Sequence, residues 1–201
     1  MDSEPLHHES AVAVLATHGK MVPVQTIQEF IGWSELPFWS ELKKRFSLRP
    51  STQELADERT EVYGELLHTR SLVPLPGAVE ILETLRDRSI PCAIASASPR
   101  LQLKGSLESA GISKYFQALV SGHEDVKRGK PRPDVFLEAA RRLGVSPSSC
   151  LAIEDSLNGT ASAVASGAFT IRIPTPGDLR PQPSQEQLRL TSLKEVCALL
   201  P

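Results

Sequence analysis

The sequence predicts an α/β fold, a doubly wound parallel sheet preceded by a small helical unit. Three observations carry this. Short apolar runs alternate with amphipathic helices after Pro74, the part before Arg70 shows helical periods and no strand, and the composition is that of a globular chain. Across 201 residues, 22 Lys and Arg face 24 Asp and Glu for a formal net charge of −2, with 40% hydrophobic and 23% charged residues. That length fits one domain, or a core with a modest insertion, and can bury a real hydrophobic centre. The balance argues against disorder as the main state. Near-neutral charge with 5% aromatics leaves no basic footprint for nucleic acid. Cys92, Cys150 and Cys197 are odd in number and far apart, which fits neither a disulfide framework nor a zinc cluster and points to a reducing compartment. The start, MDSEPLHHES, lacks the basic-then-apolar order of a signal peptide. The longest uncharged stretch, Ser156 to Ile171, is too short and too rich in Ser, Thr and Gly to span a membrane. The expectation is a cytoplasmic protein without membrane or nucleic-acid partners.

In the helical part, Ala11, Val14 and Leu15 fall at i, i+3, i+4, and Ile27, Phe30 and Ile31 repeat that spacing. Phe38, Leu42 and Phe46 continue it, and Ala56, Tyr63 and Leu67 mark a longer helix, with Gly32, Pro37 and Pro50 as punctuation. Beyond Pro74-Leu75-Pro76-Gly77 the apolar runs are Cys92-Ala93-Ile94-Ala95, Ala118-Leu119-Val120, Leu151-Ala152-Ile153 and Phe169-Thr170-Ile171. Between them lie helical periods at Val79, Leu82, Leu85; Leu103, Leu107, Ala110; Phe136, Ala139, Ala140, Leu143; and Leu157, Ala161, Val164. Gly111 and Gly144 fall where helix C-terminal glycines belong. Unbroken apolar strands alternating with helices imply a parallel sheet covered on both faces. The stretch from Pro174 to Pro183 holds four prolines and predicts a surface loop. A doubly wound domain normally opens with a strand and builds its site at the strand C-termini. No strand opens this one, so either the sheet has only four strands or something is missing upstream.

Three strand ends carry polar residues that a buried strand does not need. Ala95-Ser96-Ala97-Ser98-Pro99 could hold a phosphate oxygen by hydroxyl and backbone N–H groups, or could simply cap a helix through Ser96 or Ser98. Arg128-Gly129-Lys130-Pro131-Arg132-Pro133-Asp134 leads into a helix that Asp134 could cap, and places Lys130 as a point charge of restricted freedom; the alternative is a solvated basic loop. It is not a Walker loop. Ile153-Glu154-Asp155-Ser156 ends a strand in two carboxylates, which repel unless a cation such as Mg²⁺ sits beside them, or unless Asp155 merely caps a helix. Together, hydroxyl, lysine and paired acids at successive strand ends suit phosphoryl transfer. The set lacks a nucleophile. Ser96 has no evident His–acid partners, and the five histidines form no metal-ligand pattern and read as surface or packing residues, the His7-His8 pair as exposed.

In these residues the chain resembles the haloacid dehalogenase superfamily, in particular its phosphatases and phosphomutases with a helical cap inserted after the first strand. Leu75-Pro76-Gly77 with Ile90 to Ser98 is similar to the second family motif, Gly129 to Asp134 to the third, and Ile153-Glu154-Asp155-Ser156-Leu157-Asn158-Gly159 to the fourth. The resemblance implies a Rossmann-like core over residues 73–201 and a helical cap over residues 1–72, with residues 1–8 as hinge. It implies Ser96 and Lys130 as catalytic residues, Ser96, Ala97, Lys130, Gly32 and Trp33 as substrate contacts, and Glu154 and Asp155 as ligands of Mg²⁺. The implied partner is a small phosphorylated metabolite, and the expected state a monomer.

The departure is at the front. Family members carry an apolar strand ending in D-x-D-G just before a segment like Asp2-Ser3-Glu4-Pro5-Leu6-His7, the first Asp being nucleophile and the second general acid/base. This chain starts at Met1-Asp2-Ser3-Glu4 and contains no D-x-D-G. The expectation is that the strand and both aspartates were cut off by a misplaced start codon, in preference to a natural inactive isoform. Losing that central strand would leave a gap of about 10 Å between the strands ending at Ser96 and Glu154, twice the normal ~4.8 Å, and a poorly stable, inactive chain. The full-length protein is expected to be a Mg²⁺-dependent phosphatase for hexose, hexitol or 2-deoxyglucose 6-phosphate-type substrates, acting through an aspartyl-phosphate. One alternative is a β-phosphoglucomutase-like enzyme. Such mutases place an arginine after a similar Gly-x-Ser, where this chain has Glu35, a repulsive charge for a second phosphate. A haloalkanoic dehalogenase fits the acid pair less well. The remaining alternative is a non-catalytic remnant that binds phosphorylated ligands or a partner through the cap.

Overall fold

A computed structural model describes residues 1, 3–31, 33–174 and 185–199. The surface loop expected from Pro174 to Pro183 lies, apart from Pro174, outside the described residues, as does Gly32.

The chain opens with four helices: α1 (Glu4–Thr17), α2 (Val24–Gln28), α3 (Glu35–Phe46) and α4 (Thr52–Thr69). Their apolar stripes close on one another, with Leu15, Trp39, Leu42 and Leu55 completely buried. Each such side chain contributes about 2 kcal/mol by leaving water. The start of α4 is fixed by a capping box, in which Ser51 Oγ accepts from the Glu54 N–H and the Glu54 carboxylate accepts from the Ser51 N–H. Helix α2 is shorter than its apolar spacing suggests. Phe30 and Trp33 follow it in turns whose N–H groups donate to Ile27 and Phe30, so a three-residue pitch keeps Phe30 inward without α-helix. Of residues 1–8, expected as hinge, residues 4–8 form the first turns of α1. The His7-His8 pair, expected as exposed, is not: α1 turns both rings inward, His8 onto Glu4 at 3.1 Å and His7 against Tyr63, with ring centroids 4.6 Å apart.

The remainder alternates as expected: α5 (Ala78–Asp87), β1 (Ala93–Ser96), α6 (Arg100–Ser109), β2 (Ala118–Ser121), α7 (Asp134–Leu143), β3 (Leu151–Glu154), α8 (Leu157–Ser166), β4 (Phe169–Arg172), β5 (Leu188–Arg189) and α9 (Leu193–Cys197). All pairings are parallel, β1 to β2 with Ala93 opposite Ala118, β3 to β4 with Leu151 opposite Phe169, and β4 to β5 with Ile171 opposite Leu188. Strand β5, two residues long, has no periodic signal to read. Gly144 and Gly167 end α7 and α8 in left-handed conformation, with φ of 71° and 87°.

The strands form two sheets, β1-β2 and β3-β4-β5, and among the described residues no strand pairs with both β1 and β3. The helical layer spans the division. Helix α7 packs on β1 and β2 and also on α8, which covers β3 and β4, and Phe136 belongs to the apolar clusters under both. On β3 the division leaves Leu151 and Ile153 substantially exposed, at 44% and 36%. The three cysteines are free, and among the described residues no helix is long and apolar enough to cross a membrane.

Candidate active site at the strand ends

Strand β1 ends at Ser96, and the chain turns at once into α6. The Ser98 N–H donates to Ser96 Oγ at 3.1 Å, while Pro99, at the N-cap of α6, makes no side-chain cap. Ser96 therefore closes the turn and does not cap the helix, as the plainer reading of these serines had it. Two further bonds lock the turn to β2: Ser121 Oγ donates to the Ser98 carbonyl at 2.8 Å, and the Gly122 N–H to the Ser96 carbonyl at 2.6 Å. Because Ser96 Oγ already accepts, its own O–H remains available as a donor.

Lys130 reaches the same edge from the loop after β2. Its Nζ donates to the Ala95 carbonyl at 3.0 Å and pairs with the Glu154 carboxylate, the two side chains being 8% and 7% exposed. It also lies 5.0 Å from the centroid of the Phe136 ring. Lys130 is thus a buried, doubly fixed charge, although Arg128, Pro131 and Arg132 around it are exposed. Asp134 grips Arg128 with both carboxylate oxygens at 3.0 Å and leaves α7 without a side-chain cap.

Strand β3 delivers Glu154 and Asp155. The Glu154 carboxylate lies over the first turn of α8, where a Cβ at Gly159 would overlap it. Burial pushes its pKa up, opposed by the Lys130 charge. Asp155 does not cap α8; Ser156 does, accepting the Gly159 N–H at 3.0 Å. That leaves Asp155 exposed at the rim, the acid of the pair without a lysine partner.

These loops meet at one cavity of about 220 Å³. Ser96, Ala97, Lys130, Glu154 and Asp155 all line it, and Trp33 lines it from the helical side, so six of the seven expected site residues are gathered. The seventh, Gly32, lies outside the described residues.

Sequence reading missed a second buried ion pair on the opposite wall. Glu35, which opens α3, accepts from Trp39 Nε1 at 2.8 Å and from Arg59 Nη1 at 2.9 Å. Arg59 also donates to the His7 carbonyl at 3.0 Å and lies 4.9 Å over the Phe38 ring. Glu35 is therefore not the free repulsive charge that its position suggested, because Arg59 compensates it. The signal was present in the sequence: Arg59 sits between Ala56 and Tyr63 on the apolar stripe of α4, where a solvated arginine would not be placed. Beside it, burial and the charges of Arg59 and His8 hold the His7 imidazole well below the ordinary histidine pKa.

Among the described residues no cluster of three or more His, Cys, Asp or Glu side chains is placed to hold a metal. Mg²⁺, however, is commonly bound by one or two carboxylates with waters and substrate phosphate completing the shell. Asp155, open to the cavity, with Glu154 beside it, fits that donor set.

A hydroxyl, a lysine and paired acids gathered at the strand ends of a parallel α/β scaffold suit the binding of a phosphoryl group. The chain belongs to the haloacid dehalogenase-like hydrolases, whose family model matches residues 1–167. It is 32% identical over 171 residues to a phosphorylated carbohydrates phosphatase of Thermotoga maritima, covering 83% of this chain and 76% of that protein. It is also 32% identical over 177 residues to the chloroplastic protein SUPPRESSOR OF QUENCHING 1 of Arabidopsis thaliana, covering 87% of this chain but spanning only 17% of that protein. In structure it is similar to CbbY from Rhodobacter sphaeroides in complex with phosphate, with a TM-score of 0.88 at 20% identity over 97% of this chain and 90% of that one, a likeness of fold.

Proposed function

We propose that the cavity binds small sugar phosphates, of the hexose, hexitol or 2-deoxyglucose 6-phosphate type, at a site of the kind that hydrolyses phosphate esters with Mg²⁺. The observation that carries this reading is that Ser96, Lys130 and Asp155, from three separate loops, line a single cavity. In it the Ser96 hydroxyl and the turn at Ala97 bind the phosphoryl oxygens, and Lys130 balances their charge. Glu154 and Asp155 would hold Mg²⁺, which supplies further neutralisation of phosphoryl charge when bound. Helices α1 to α4 act as the cap, excluding water, with the half-exposed Trp33 ring offered to the apolar face of a sugar. Three free thiols suit a reducing, cytoplasmic setting.

Hydrolysis is favoured over a mutase reaction by the Glu35–Arg59 pair. A mutase must hold a second phosphate on the cap wall, and the cation lining that wall is already spent on Glu35. The relatedness to a phosphorylated carbohydrates phosphatase supports the same choice. The family's two aspartates do not occur as D-x-D-G in these 201 residues. On its own, then, the chain is read as a binder that does not turn its ligand over.

The test is calorimetric titration with glucitol 6-phosphate and 2-deoxyglucose 6-phosphate in Mg²⁺, with inorganic phosphate followed in parallel. Binding is expected, weakened tenfold or more by Ser96→Ala or Lys130→Met, without phosphate release. A chain that binds neither ester overturns the reading, release of phosphate overturns the assignment as a binder, and conversion of β-glucose 1-phosphate to glucose 6-phosphate reverses the order of phosphatase and mutase.

A further inference from the structure

The helical cap meets the lysine loop at a point that neither loop needs for its own conformation. Ser34 stands between Trp33 and Glu35, both of which line the cavity. Its Oγ lies 3.5 Å from the Lys130 carbonyl oxygen. A Cβ built on Gly129 would fall 2.7 Å from Ser34 Oγ and 3.6 Å from Ser34 Cβ, the first being closer than side-chain carbons come to any atom. Gly129 is not among the glycines of positive φ. Backbone conformation therefore does not demand glycine here; the approach of Ser34 does. Elsewhere the cap is anchored through α4, where Tyr63 Oη and Ser106 Oγ share a hydrogen bond at 2.7 Å and Gln102 Nε2 donates to Thr60 Oγ1 at 3.0 Å. The Ser34 contact is separate from that seam and falls on the residues that carry the lysine.

We propose that Ser34 and Gly129 form a close-fitting seat through which the cap shuts the cavity rim and positions Lys130. They are positioning residues, and the inference rests on the reading that Lys130 binds the phosphoryl group. Lys130 is then held at both ends, its ammonium by the Ala95 carbonyl and Glu154 and its backbone by the seated cap loop. A cap that cannot seat leaves the lysine loop free to shift and the rim open to water, so anion binding weakens although no binding group has been removed.

The protein carries its own reporter. Trp33 is 44% exposed beside the seat, while Trp39 is fully buried, so acrylamide quenching reads Trp33. The Gly129→Ala chain is expected to double the quenching constant or more and to weaken inorganic phosphate binding tenfold or more. Adding Ser34→Gly to that variant clears the space a Cβ needs and is expected to restore both within twofold. Ser34→Val crowds the seat from the cap side and gives the same result as Gly129→Ala should that variant not fold. Unchanged quenching in the folded crowded variants, or a folded Gly129→Ala/Ser34→Gly chain that restores neither property, overturns the proposal. Failure of the wild-type chain to bind phosphate at all sinks the functional reading instead, and quenching alone then decides whether the seat exists.

Discussion

Lys130 Nζ bonds at once to the Ala95 carbonyl, at the end of β1, and to the Glu154 carboxylate, at the end of β3. One side chain thus staples the two sheets at their C-terminal edge, where no described strand joins them. Removing one partner of a buried pair strands the other charge, at a cost of about 3 kcal/mol. Lys130→Met is therefore expected to lose that much stability in urea unfolding, and Glu154→Gln in the same background to recover most of it. Simple addition of the two single losses would refute the staple.

Gly159 gives a test of sign. In a helix, Gly→Ala ordinarily stabilises by about 0.5–1 kcal/mol. Here the new methyl would overlap the Glu154 carboxylate, so Gly159→Ala is expected to destabilise the chain and disturb Lys130. In a Glu154→Ala background the methyl has room, and the same substitution should become neutral or stabilising. Unfolding of the four variants checks this, and a stabilising effect in the native background would refute it.

His7 predicts a pH dependence. Burial, Arg59 and His8 depress its folded pKa well below the unfolded value of about 6.5. Below pH 6.5 the unfolded chain therefore binds a proton that the folded chain refuses. Its contribution to stability is complete above that pH and declines as pH falls, by up to about 1.4 kcal/mol per unit. The difference in unfolding free energy between the native chain and His7→Gln, followed from pH 7.5 to 5, is expected to shrink on acidification. A difference that does not vary with pH would contradict the half-buried, neutral imidazole.

How much of this was legible in the sequence follows from which forces leave a local trace. The four longer strands and the helices around them were readable because apolar runs and 3.6-residue periods are local. Ser96, Lys130 and Asp155 were readable as a set because each lies at or beyond the C-terminal end of an apolar run, among residues that a buried run does not need. Partnership was not legible. Lys130 could be seen as a charge but not as the mate of Glu154, 24 positions away in the chain, and Glu35 looked repulsive because its compensation by Arg59 comes from another helix. Asp155 looked like a cap until the adjacent Ser156 took that bond.

The divided sheet makes a prediction of its own. Strand β4 is paired on both sides, whereas β3 among the described residues pairs only with β4, and β1 only with β2. Amides on an unpaired edge open readily. Hydrogen exchange in β1 and β3 is expected to run at least tenfold faster than in β4. Equal protection across all three would mean that the open edges are covered.

The central claim is that three loops from three strand ends make one anion site. Its most direct test is an amide-resolved NMR titration of the chain with inorganic phosphate. The account predicts saturable shifts at Ser96, Ala97, Lys130 and Asp155 together, following one binding curve and abolished by Ser96→Ala. Shifts confined to other surfaces, or different curves for the three loops, would contradict it.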